Sequence, residues 1–479
     1  MEHIIQQIAS KAIKNIFEYY ERNGLQTLSK MTEELRTISD EMVREMLCAF
    51  INEADKALCE AKKERKLAKL QVHEKNVERT VFTTLGNFTY KRTYFDMPEG
   101  KHTYLLDRIL GVEDYDRIET GISAKLVNAA AERSYGQSAA EITGGQISRQ
   151  SVRNKMMETG EVAHIPFRKN ETPETLHIFA DEDHVHLQDG NGTILPLITI
   201  CGGKREISKE RNELIDPVHV HGYGIKPETQ WEYVYALCEE MYDMEKVKEV
   251  YLYGDGAGWI LRGLEYFPNG IHILDEFHYL SKMKRLFAGE LCGAYRLQGY
   301  TAVSRNDSVG FGKIVDQMIE TIREQMREGK EREHKIKTIR ECGGYMLAHW
   351  KAIQNKNLEK SIGSCTEAMV SHVFSSRFSR NPMGWSREGL SKMAMIRVFV
   401  LNGGEIRAAD IRRGKSGREN KRGVIKNIYT YEEVIKKQQD KILKGAKDWG
   451  WLEHEHFGLG KRTGTKVALD LLGKMRNIS

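Results

Sequence analysis

The sequence contains none of the features typical of exported or membrane proteins. Its seven cysteines are scattered and include no Cys-x-x-Cys pair, which argues against both a disulfide framework and a zinc ribbon. No stretch approaches the roughly 18 apolar residues that a membrane span needs, and the N-terminus, MEHIIQQIASKAIKNIF, is charged and amphipathic, unlike a secretory signal. We therefore predict a cytoplasmic protein that has reduced thiols and does not contact a membrane.

The composition is that of a large globular protein with a small excess of positive charge. The 479 residues are 40% hydrophobic, which is sufficient for several domains with their own cores. Lysine and arginine number 73 against 68 acidic residues, and the formal charge is +5. This excess is weak evidence for a polyanionic partner. The function therefore has to be inferred from local patterns.

The N-terminal part is predicted to be mainly helical, with one β-hairpin. Residues 1–75 have helical periodicity and contain the basic run AKKERKLAK, which indicates a helical arm. Residues 76–165 are predicted to form a DNA-binding region. It begins with TVFTTLGNFTYKRTYF, in which two β-rich runs flank Gly86-Asn87, a pair suited to a tight hairpin turn.

Residues 134–156, SYGQSAAEITGGQISRQSVRNKM, have the pattern of a helix-turn-helix. An apolar helix reaches Gly144-Gly145, and a second helix begins at Ser148. The second helix carries four side chains that can bond to base edges in the major groove: Arg149, Gln150, Arg153 and Asn154. The pattern also fits a plain helical hairpin with solvated charges, so reading of DNA is one of two interpretations.

From about residue 173 the pattern changes to strands. Three consecutive β-rich runs, a helix and a returning strand predict an α/β ribonuclease-H-like catalytic core over residues 173–278 and 361–400. Residues 279–360 are helical and rich in lysine and arginine, and predict a helical insertion within this core. Residues 401–479 form a basic C-terminal region, in which residues 411–426, IRRGKSGRENKRGVIK, have the composition of a flexible basic loop.

The run IFADEDHVHLQ places three carboxylates in an otherwise apolar strand. A charged side chain in a half-buried strand is costly unless it is paired or bound to a metal, so Asp181 is a candidate cation ligand. Asp255 follows the returning strand, in GDGAG, where open α/β sheets normally bind ligands. Two aspartates on neighbouring strands suit Mg²⁺, which prefers oxygen ligands. Asp183 points to the same face as Asp181 and remains an alternative ligand.

A third carboxylate is expected after the insertion. Glu367 is one candidate, because it lies in the first turn of a predicted helix that continues with basic residues. Ser364 and Glu367 also fit a capping box, which is a purely structural role. Glu388 is the alternative candidate, and spacing alone does not choose between the two glutamates.

Two histidine pairs resemble zinc ligands, namely His184 with His186 and His454 with His456. The first pair lies on the strand face opposite Asp181, and the second has no cluster of partner ligands nearby. We interpret all four as solvated side chains.

Five stretches in this order resemble a known family: ADEDHVHLQ, GDGAGW, DEFH, GSCTEAMVSHVFSSRFSR and MGWSREGLSKMAMIRV. Their order and spacing are similar to those of bacterial insertion-sequence transposases of the ISLre type, a DDE group related to the Mutator-like transposases. The resemblance covers roughly residues 120–400 and, more loosely, the N-terminal arm.

The resemblance implies which residues would form the site. Asp181, Asp255 and Glu367 would be the catalytic carboxylates and the ligands of two Mg²⁺ ions, which Mn²⁺ can replace. Asp275-Glu-Phe-His278, which begins 20 residues after Asp255, would be a supporting signature.

The resemblance also implies a function and partners. The protein would bind the terminal inverted repeats of an insertion sequence, cleave DNA and transfer the freed strand to target DNA. Because two ends must be brought together, we expect a homo-oligomer on double-stranded DNA, in the nucleoid of a bacterial cytoplasm. Two alternatives remain: a ribonuclease-H-like nuclease that cuts without joining ends, and a DNA-binding protein without catalysis.

Overall fold

The structure is a computed structural model that describes residues 1–97, 100–160, 162, 171–209, 211–380 and 383–411. The described chain is mixed α/β and divides into two compact units, one within Met1–Ser123 and one within Ala124–Lys415. Of the helices that are described, none has both the length and the apolar composition required to span a membrane. The basic stretch beyond Ile411, together with His454 and His456, lies outside the described residues.

The helices, in chain order, are α1 Glu2–Asn23, α2 Leu28–Glu60, α3 Lys62–Leu67, α4 Leu105–Leu110, α5 Thr120–Glu132, α6 Tyr135–Thr143, α7 Arg149–Glu158, α8 Pro227–Met241, α9 Gly258–Leu261, α10 Glu276–Leu286, α11 Glu290–Gly293, α12 Arg296–Ser304, α13 Ser308–Gln325, α14 Lys330–Ala348, α15 Trp350–Gln354, α16 Thr366–Val370, α17 Ser376–Phe378 and α18 Arg387–Leu401. The strands are β1 Gln71–Thr83, β2 Gly86–Asp96, β3 His102–Thr103, β4 Thr175–His186, β5 Gly192–Cys201, β6 Gly203–Ser208, β7 Arg211–Ile215, β8 Val218–His221, β9 Glu249–Gly254 and β10 Gly270–Leu274.

The first unit combines the predicted helices with the predicted hairpin. Helices α1 and α2 contact each other, and an ion pair of 2.5 Å joins Lys11 to Glu45. The hairpin of β1 and β2 packs against α2 around an apolar core that includes Leu58, Phe95 and Leu106, all fully buried. Burial of these side chains stabilises the hairpin, since two strands alone are marginal in water.

The hairpin turn differs from the prediction by two residues. Thr83 pairs with Gly86, so the turn residues are Thr84 and Leu85, and the placement of the turn at Gly86-Asn87 was wrong. Gly86 has a φ of +82° and begins the returning strand. The turn needs a residue with positive φ just after its two central residues, and Gly86 supplies it. The glycine therefore identified the hairpin correctly, although it follows the central residues of the turn and is not one of them.

The second unit is built on a five-stranded mixed sheet with the strand order β10-β9-β4-β5-β8. Strands β4, β5 and β8 are antiparallel neighbours, while β9 is parallel to β4 and β10 is parallel to β9. Helix α8 connects β8 to β9. The succession of three strands, a helix and a returning strand is the one expected from the sequence.

Two further features of this sheet were not predicted. The third β-rich run is split into β7 and β8 at Asp216-Pro217, and β7 pairs with β6 in a separate two-stranded hairpin. Asp216 has a φ of +49° and proline cannot donate to a ladder, so the run breaks there. Strand β10 was missed because five residues, GIHIL, are too few to establish a period.

Alternation along β4 determines which side chains face which layer. Leu176, Ile178 and Ala180 belong to the core on the side of α8. Phe179 belongs to the core on the opposite side, with Leu358, Ile362 and Cys365 packed nearby. Because strand side chains alternate between faces, Asp181 points to this second side, where the chain approaches α16.

Between β10 and α16 the chain forms six helices, α10–α15, within the continuously described residues 211–380. They have an apolar core of their own, which includes Phe287, Phe311, Ile339 and Met346. These helices occupy the span in which a helical insertion was predicted.

Four histidines, two of them buried and two half-buried, predict a pH dependence of stability. Burial lowers the pKa of His177, His219, His221 and His272 to about 4, from an ordinary value of 6.5. Between these pH values the unfolded chain binds protons that the folded chain does not. We therefore expect the free energy of unfolding to fall as the pH falls from 6.5 to 4, by up to about 1.4 kcal/mol per pH unit for each histidine.

Thermal unfolding between pH 7 and pH 4.5 measures this loss. His219→Gln should make the unfolding temperature less dependent on pH than in the wild type, whereas the same change at His334, which is exposed on α14, should not. If both variants depend on pH as the wild type does, His219 is not held neutral by the fold.

Candidate active site

The register of three parallel strands brings three aspartates to the same edge of the sheet. Strand β4 pairs with β9 at an offset of 74 residues, as Phe179 with Tyr253, and β9 pairs with β10 at an offset of 20, as Gly254 with Leu274. The same offsets separate Asp181 from Asp255 and Asp255 from Asp275. All three carboxylates are therefore at one level, where the carboxyl ends of parallel strands usually bind ligands.

Asp181, His278 and Glu367 form a cluster at this edge. One potential ligand atom of each lies within 4.8 Å of those of the other two. Asp255 is close enough for its charge to raise the pKa of Asp181 and His278. The structure thus brings Asp181 and Glu367 together with His278, while Asp255 lies outside this cluster but near enough to act on it electrostatically.

Asp181 is the buried carboxylate of this cluster. Its residue is 8% exposed, and one carboxylate oxygen accepts a 2.8 Å hydrogen bond from the amide of Glu182. Burial, together with the charges of Glu367 and Asp255, raises the pKa of Asp181 to about 6, although the Glu182 amide and His278 act in the opposite direction. A carboxylate in these surroundings favours a nearby cation.

Asp275 has a different role from the other carboxylates. It is 2% exposed and caps α10 by accepting a 3.0 Å hydrogen bond from the amide of His278. It also accepts hydrogen bonds from His278 Nδ1, Ser364 Oγ and Thr366 Oγ1. Burial acts to raise the pKa of Asp275, but these hydrogen bonds outweigh it and lower the pKa below its ordinary range.

The side chain of His278 is oriented by Asp275. The 3.0 Å contact with Asp275 engages Nδ1, so Nε2 is the ring nitrogen that remains for a ligand. The hydrogen bond with Asp275 raises the pKa of His278, and the charges of Asp181 and Asp255 add to this effect against the opposing effect of burial. The Asp275-x-x-His278 signature thus has both a helix-capping role and an orienting role.

The capping box proposed for Ser364 and Glu367 is wrong. Helix α16 begins at Thr366 with Cys365 as its N-cap, and Ser364 donates its hydroxyl to Asp275 instead. Glu367 is exposed in the first turn of α16, free of the capping role. The same segment thus holds Asp275 with its hydroxyl groups and presents Glu367 to the cluster.

Glu388, the alternative third carboxylate, lies elsewhere. It is in the exposed first turn of α18, whose N-cap Ser386 accepts a hydrogen bond from the amide of Gly389, and it is not a member of the cluster. His184 and His186 are exposed on the β4 face opposite Asp181, as expected.

Asp183 is occupied by a structural contact and was not recognised as such from the sequence. It is 7% exposed, and its Oδ1 accepts hydrogen bonds of 3.0 Å from Ser375 and 2.9 Å from Ser379. Ser375 ends a π-helical turn, Ser371–Ser375, that directly follows α16. Asp183 therefore anchors the continuation of the helix that carries Glu367.

The loop that carries Asp255 is held by α14. Tyr345 donates a 2.7 Å hydrogen bond to the backbone carbonyl of Asp255. Gly256 has a φ of +86°, and a Cβ built on it would lie 2.4 Å from the ring of His349. The side chain of Asp255 in turn accepts a 2.8 Å hydrogen bond from the amide of Ala257. Sequence analysis missed Tyr345 and His349, whose i, i+4 spacing was their only signal.

Helices α6 and α7 are joined by a glycine turn within the second unit, a layout common to both interpretations of this stretch. Gly144 and Gly145 both have positive φ between the two helices, and Ser148 caps α7 by accepting from the amide of Ser151. Arg149, Gln150 and Asn154 are exposed, Arg153 is half-buried, and Gln150 donates to Asn154 at 2.9 Å.

Comparison with known proteins identifies the family. A family described as "Uncharacterised protein family (UPF0236)" matches residues 21–415. This chain belongs to the UPF0236 family.

Several UPF0236 proteins of Caldanaerobacter subterraneus subsp. tengcongensis are similar to this chain over most of both lengths. One is 35% identical over 416 residues, which cover 85% of this chain and 86% of the relative, and eleven locus names are joined in its name. A second is 35% identical over 387 residues, which cover 80% of each. A third, with four locus names, is 34% identical over 415 residues, which cover 85% and 86%.

In this UPF0236 chain, the contact between Asp275 and His278 can be tested directly. We expect Asp275→Asn to lower the pKa of His278, because the charged acceptor that stabilises the imidazolium is lost. Nuclear magnetic resonance of histidine-labelled protein measures this pKa, and His278→Gln assigns the signal. Glu276→Gln, the neighbouring change of the same chemical kind, should have a much smaller effect. An unaltered His278 titration in Asp275→Asn would contradict the assigned contact.

Proposed function

We propose that this protein is a DDE transposase with a ribonuclease-H-like core. It binds the ends of an insertion sequence as a homo-oligomer on double-stranded DNA, cleaves the DNA in a metal-dependent reaction and transfers the freed strand to a target. It acts in the bacterial cytoplasm at the nucleoid. The observation that carries this proposal is the cluster of Asp181 and Glu367 at the carboxyl edge of the parallel strands, with Asp255 near enough for its charge to act on Asp181.

The arrangement of the sheet supports the proposed core. Three antiparallel strands are followed by a helix and by a strand parallel to the first, with a further parallel strand at the edge. Asp181 lies on the first strand of this series and Asp255 directly after the fourth. Glu367 comes from the helix after the insertion, as a third carboxylate in such a core should.

The donor set fits Mg²⁺. Asp181, Asp255 and Glu367 offer carboxylate oxygens, which are the ligands that this ion prefers. The raised pKa of Asp181 reflects its burial first and the nearby charges of Glu367 and Asp255 second, and a divalent cation would offset both effects. When bound, two Mg²⁺ ions would stabilise charge on both the attacking and the leaving oxygen of an in-line phosphodiester displacement.

The chain's own residues supply positioning. Asp275 holds the ring of His278 through Nδ1, which leaves Nε2 to contact a DNA phosphate beside the carboxylates. Asp183 and the hydroxyls of Ser375 and Ser379 hold the segment after Glu367 against β4. Because water and a DNA 3′-hydroxyl can occupy the same attacking position, one site serves both cleavage and strand transfer.

The multiple loci of the relatives also support this proposal. Eleven locus names belong to one relative and four to another, in a single organism. A gene that moves or copies itself accumulates in this way. Neither a housekeeping nuclease nor a DNA-binding regulator has an evident reason to be present at so many loci.

Two surfaces are proposed to hold DNA. The exposed side of α7, with Arg149, Gln150, Arg153 and Asn154, would read base edges of the terminal repeats. Exposed basic residues of the insertion, such as Lys313, would contact phosphates and make binding depend on salt.

Loss of a catalytic carboxylate should abolish cleavage while DNA binding persists. The substrate is a plasmid that carries the gene with its native flanking DNA, incubated with Mg²⁺ or Mn²⁺. We expect Asp255→Asn and Glu367→Gln each to lower the cleavage rate by about 10³-fold or more, because several kcal/mol of charge stabilisation is lost.

Glu388→Gln is the matched control for Glu367→Gln, and it should cleave as the wild type does. Strand-transfer products distinguish a transposase from a nuclease that only cuts. Equal cleavage by the wild type and Asp255→Asn, or DNA binding without cleavage in either metal, would overturn the proposal.

The helix-turn-helix is tested separately by affinity for the element ends. We expect Arg149→Ala to weaken binding of end DNA by about 1–3 kcal/mol if the side chain contacts a base, and to reduce the salt dependence by about one ion if it contacts a phosphate. Arg205→Ala is the control, because Arg205 pairs with Glu213 on the β6–β7 hairpin. Unchanged binding in Arg149→Ala would favour the plain helical hairpin.

A further inference from the structure

A second cluster of potential metal ligands lies in the first unit, on the sheet of β1, β2 and β3. His73, Asp96 and His102 each offer a ligand atom within 4.8 Å of the other two. His102 Nδ1 lies 2.7 Å and His73 Nδ1 lies 3.0 Å from the same oxygen of Asp96. The cluster shares no residue with the candidate active site.

The backbone of three strands converges on this point. Asp96 is paired directly with His102 across β2 and β3, so their side chains are neighbours on one face. Val72 pairs with Phe95 and Glu74 with Tyr94, which makes His73 the extra residue of a β-bulge in β1. A bulge redirects a side chain out of the regular ladder, and here it accompanies the approach of His73 to Asp96.

Aromatic rings surround the cluster on one side. His102 stacks on Tyr94 with ring centroids 5.0 Å apart, and His73 meets the same ring edge-on at 5.4 Å. Tyr104 packs behind Tyr94 at 4.6 Å. These contacts restrict both imidazoles, so little rotamer freedom is left to lose when a ligand binds.

The side chains remain accessible to an ion. His73, Asp96 and His102 have side-chain exposures of 51%, 38% and 40%. Their carboxylate and imidazole atoms are 2.7–3.0 Å apart, whereas ligands about 2.0–2.1 Å from a tetrahedral ion are about 3.3 Å apart. A shift of a few tenths of an ångström would therefore admit an ion.

We propose that His73, Asp96 and His102 form a binding site for a divalent transition metal, with Zn²⁺ as the expected occupant. Two imidazoles and one carboxylate are a donor set that Zn²⁺ accepts in tetrahedral geometry, with the fourth position open to water. Mg²⁺ is disfavoured, because two of the three donors are nitrogen. The site ties together β1, β2 and β3 where the bulge interrupts the ladder, and it stabilises the first unit.

Metal titration of the full-length chain tests this site. Protein stripped with a chelator is titrated with Zn²⁺ alone, and Co²⁺ is used in parallel because its visible absorption reports tetrahedral nitrogen and oxygen ligation. We expect the wild type to bind Zn²⁺ and to unfold at a higher temperature with it. His73→Gln and His102→Gln should each weaken this binding by about 10²-fold.

Two further variants make the outcome decisive. His334→Gln, an exposed histidine on α14, should leave Zn²⁺ binding unchanged. Asp181→Asn removes a ligand of the candidate active site. Zn²⁺ binding that persists in Asp181→Asn but is lost in His102→Gln is therefore binding to the cluster of His73, Asp96 and His102. Asp96→Asn removes the carboxylate charge but keeps a neutral hydrogen-bond acceptor beside the histidines. It therefore tests the charged ligand while the contact with the histidines is retained. If these substitutions at residues 73, 96 and 102 leave Zn²⁺ affinity and the Co²⁺ spectrum unchanged, the proposal is wrong.

Discussion

The pairing register of β4, β9 and β10 sets the level at which the acidic side chains leave the sheet. Offsets of 74 and 20 residues align Asp181, Asp255 and Asp275, so their spacing along the chain is a consequence of strand pairing. A slip by one residue would turn an aspartate to the other face. Buried residues such as Ile178 and Tyr253 fix the pairing register of their strands, and they therefore also determine the geometry of the site.

Hydroxyl groups from one segment of the chain donate hydrogen bonds to two of the carboxylates that are crowded at this edge. Ser364 and Thr366 donate to Asp275, and Ser375 donates to Asp183. The segment that supplies these donors also presents Glu367. Asp275 and one oxygen of Asp183 are thus hydrogen-bonded within the protein, while the charges of Asp181, Asp255 and Glu367 remain available to a cation. This division separates carboxylates that hold the structure from those that can hold an ion.

The sequence predicted the parts of this molecule that local patterns encode. A run of β-forming residues identified β4, and the glycine pair before α7 identified two helices joined by a turn. Asp275 and His278 were identified only through the family resemblance. The sequence did not identify contacts between distant segments, such as that of Asp183 with Ser379, 196 residues away. The bulge at His73 was equally invisible, because it depends on how β1 pairs with β2. Pairing and packing across the fold, more than residue type, account for what was missed.

The hold of α14 on the Asp255 loop has an evolutionary consequence. The helical insertion looks like a module that could be exchanged between relatives, since it has a core of its own. Yet the hydroxyl of Tyr345 and the ring of His349 reach back to Asp255 and Gly256. An insertion taken from another protein would have to supply a hydroxyl donor to the carbonyl of Asp255 and a planar ring against Gly256. The insertion and the core should therefore be inherited together.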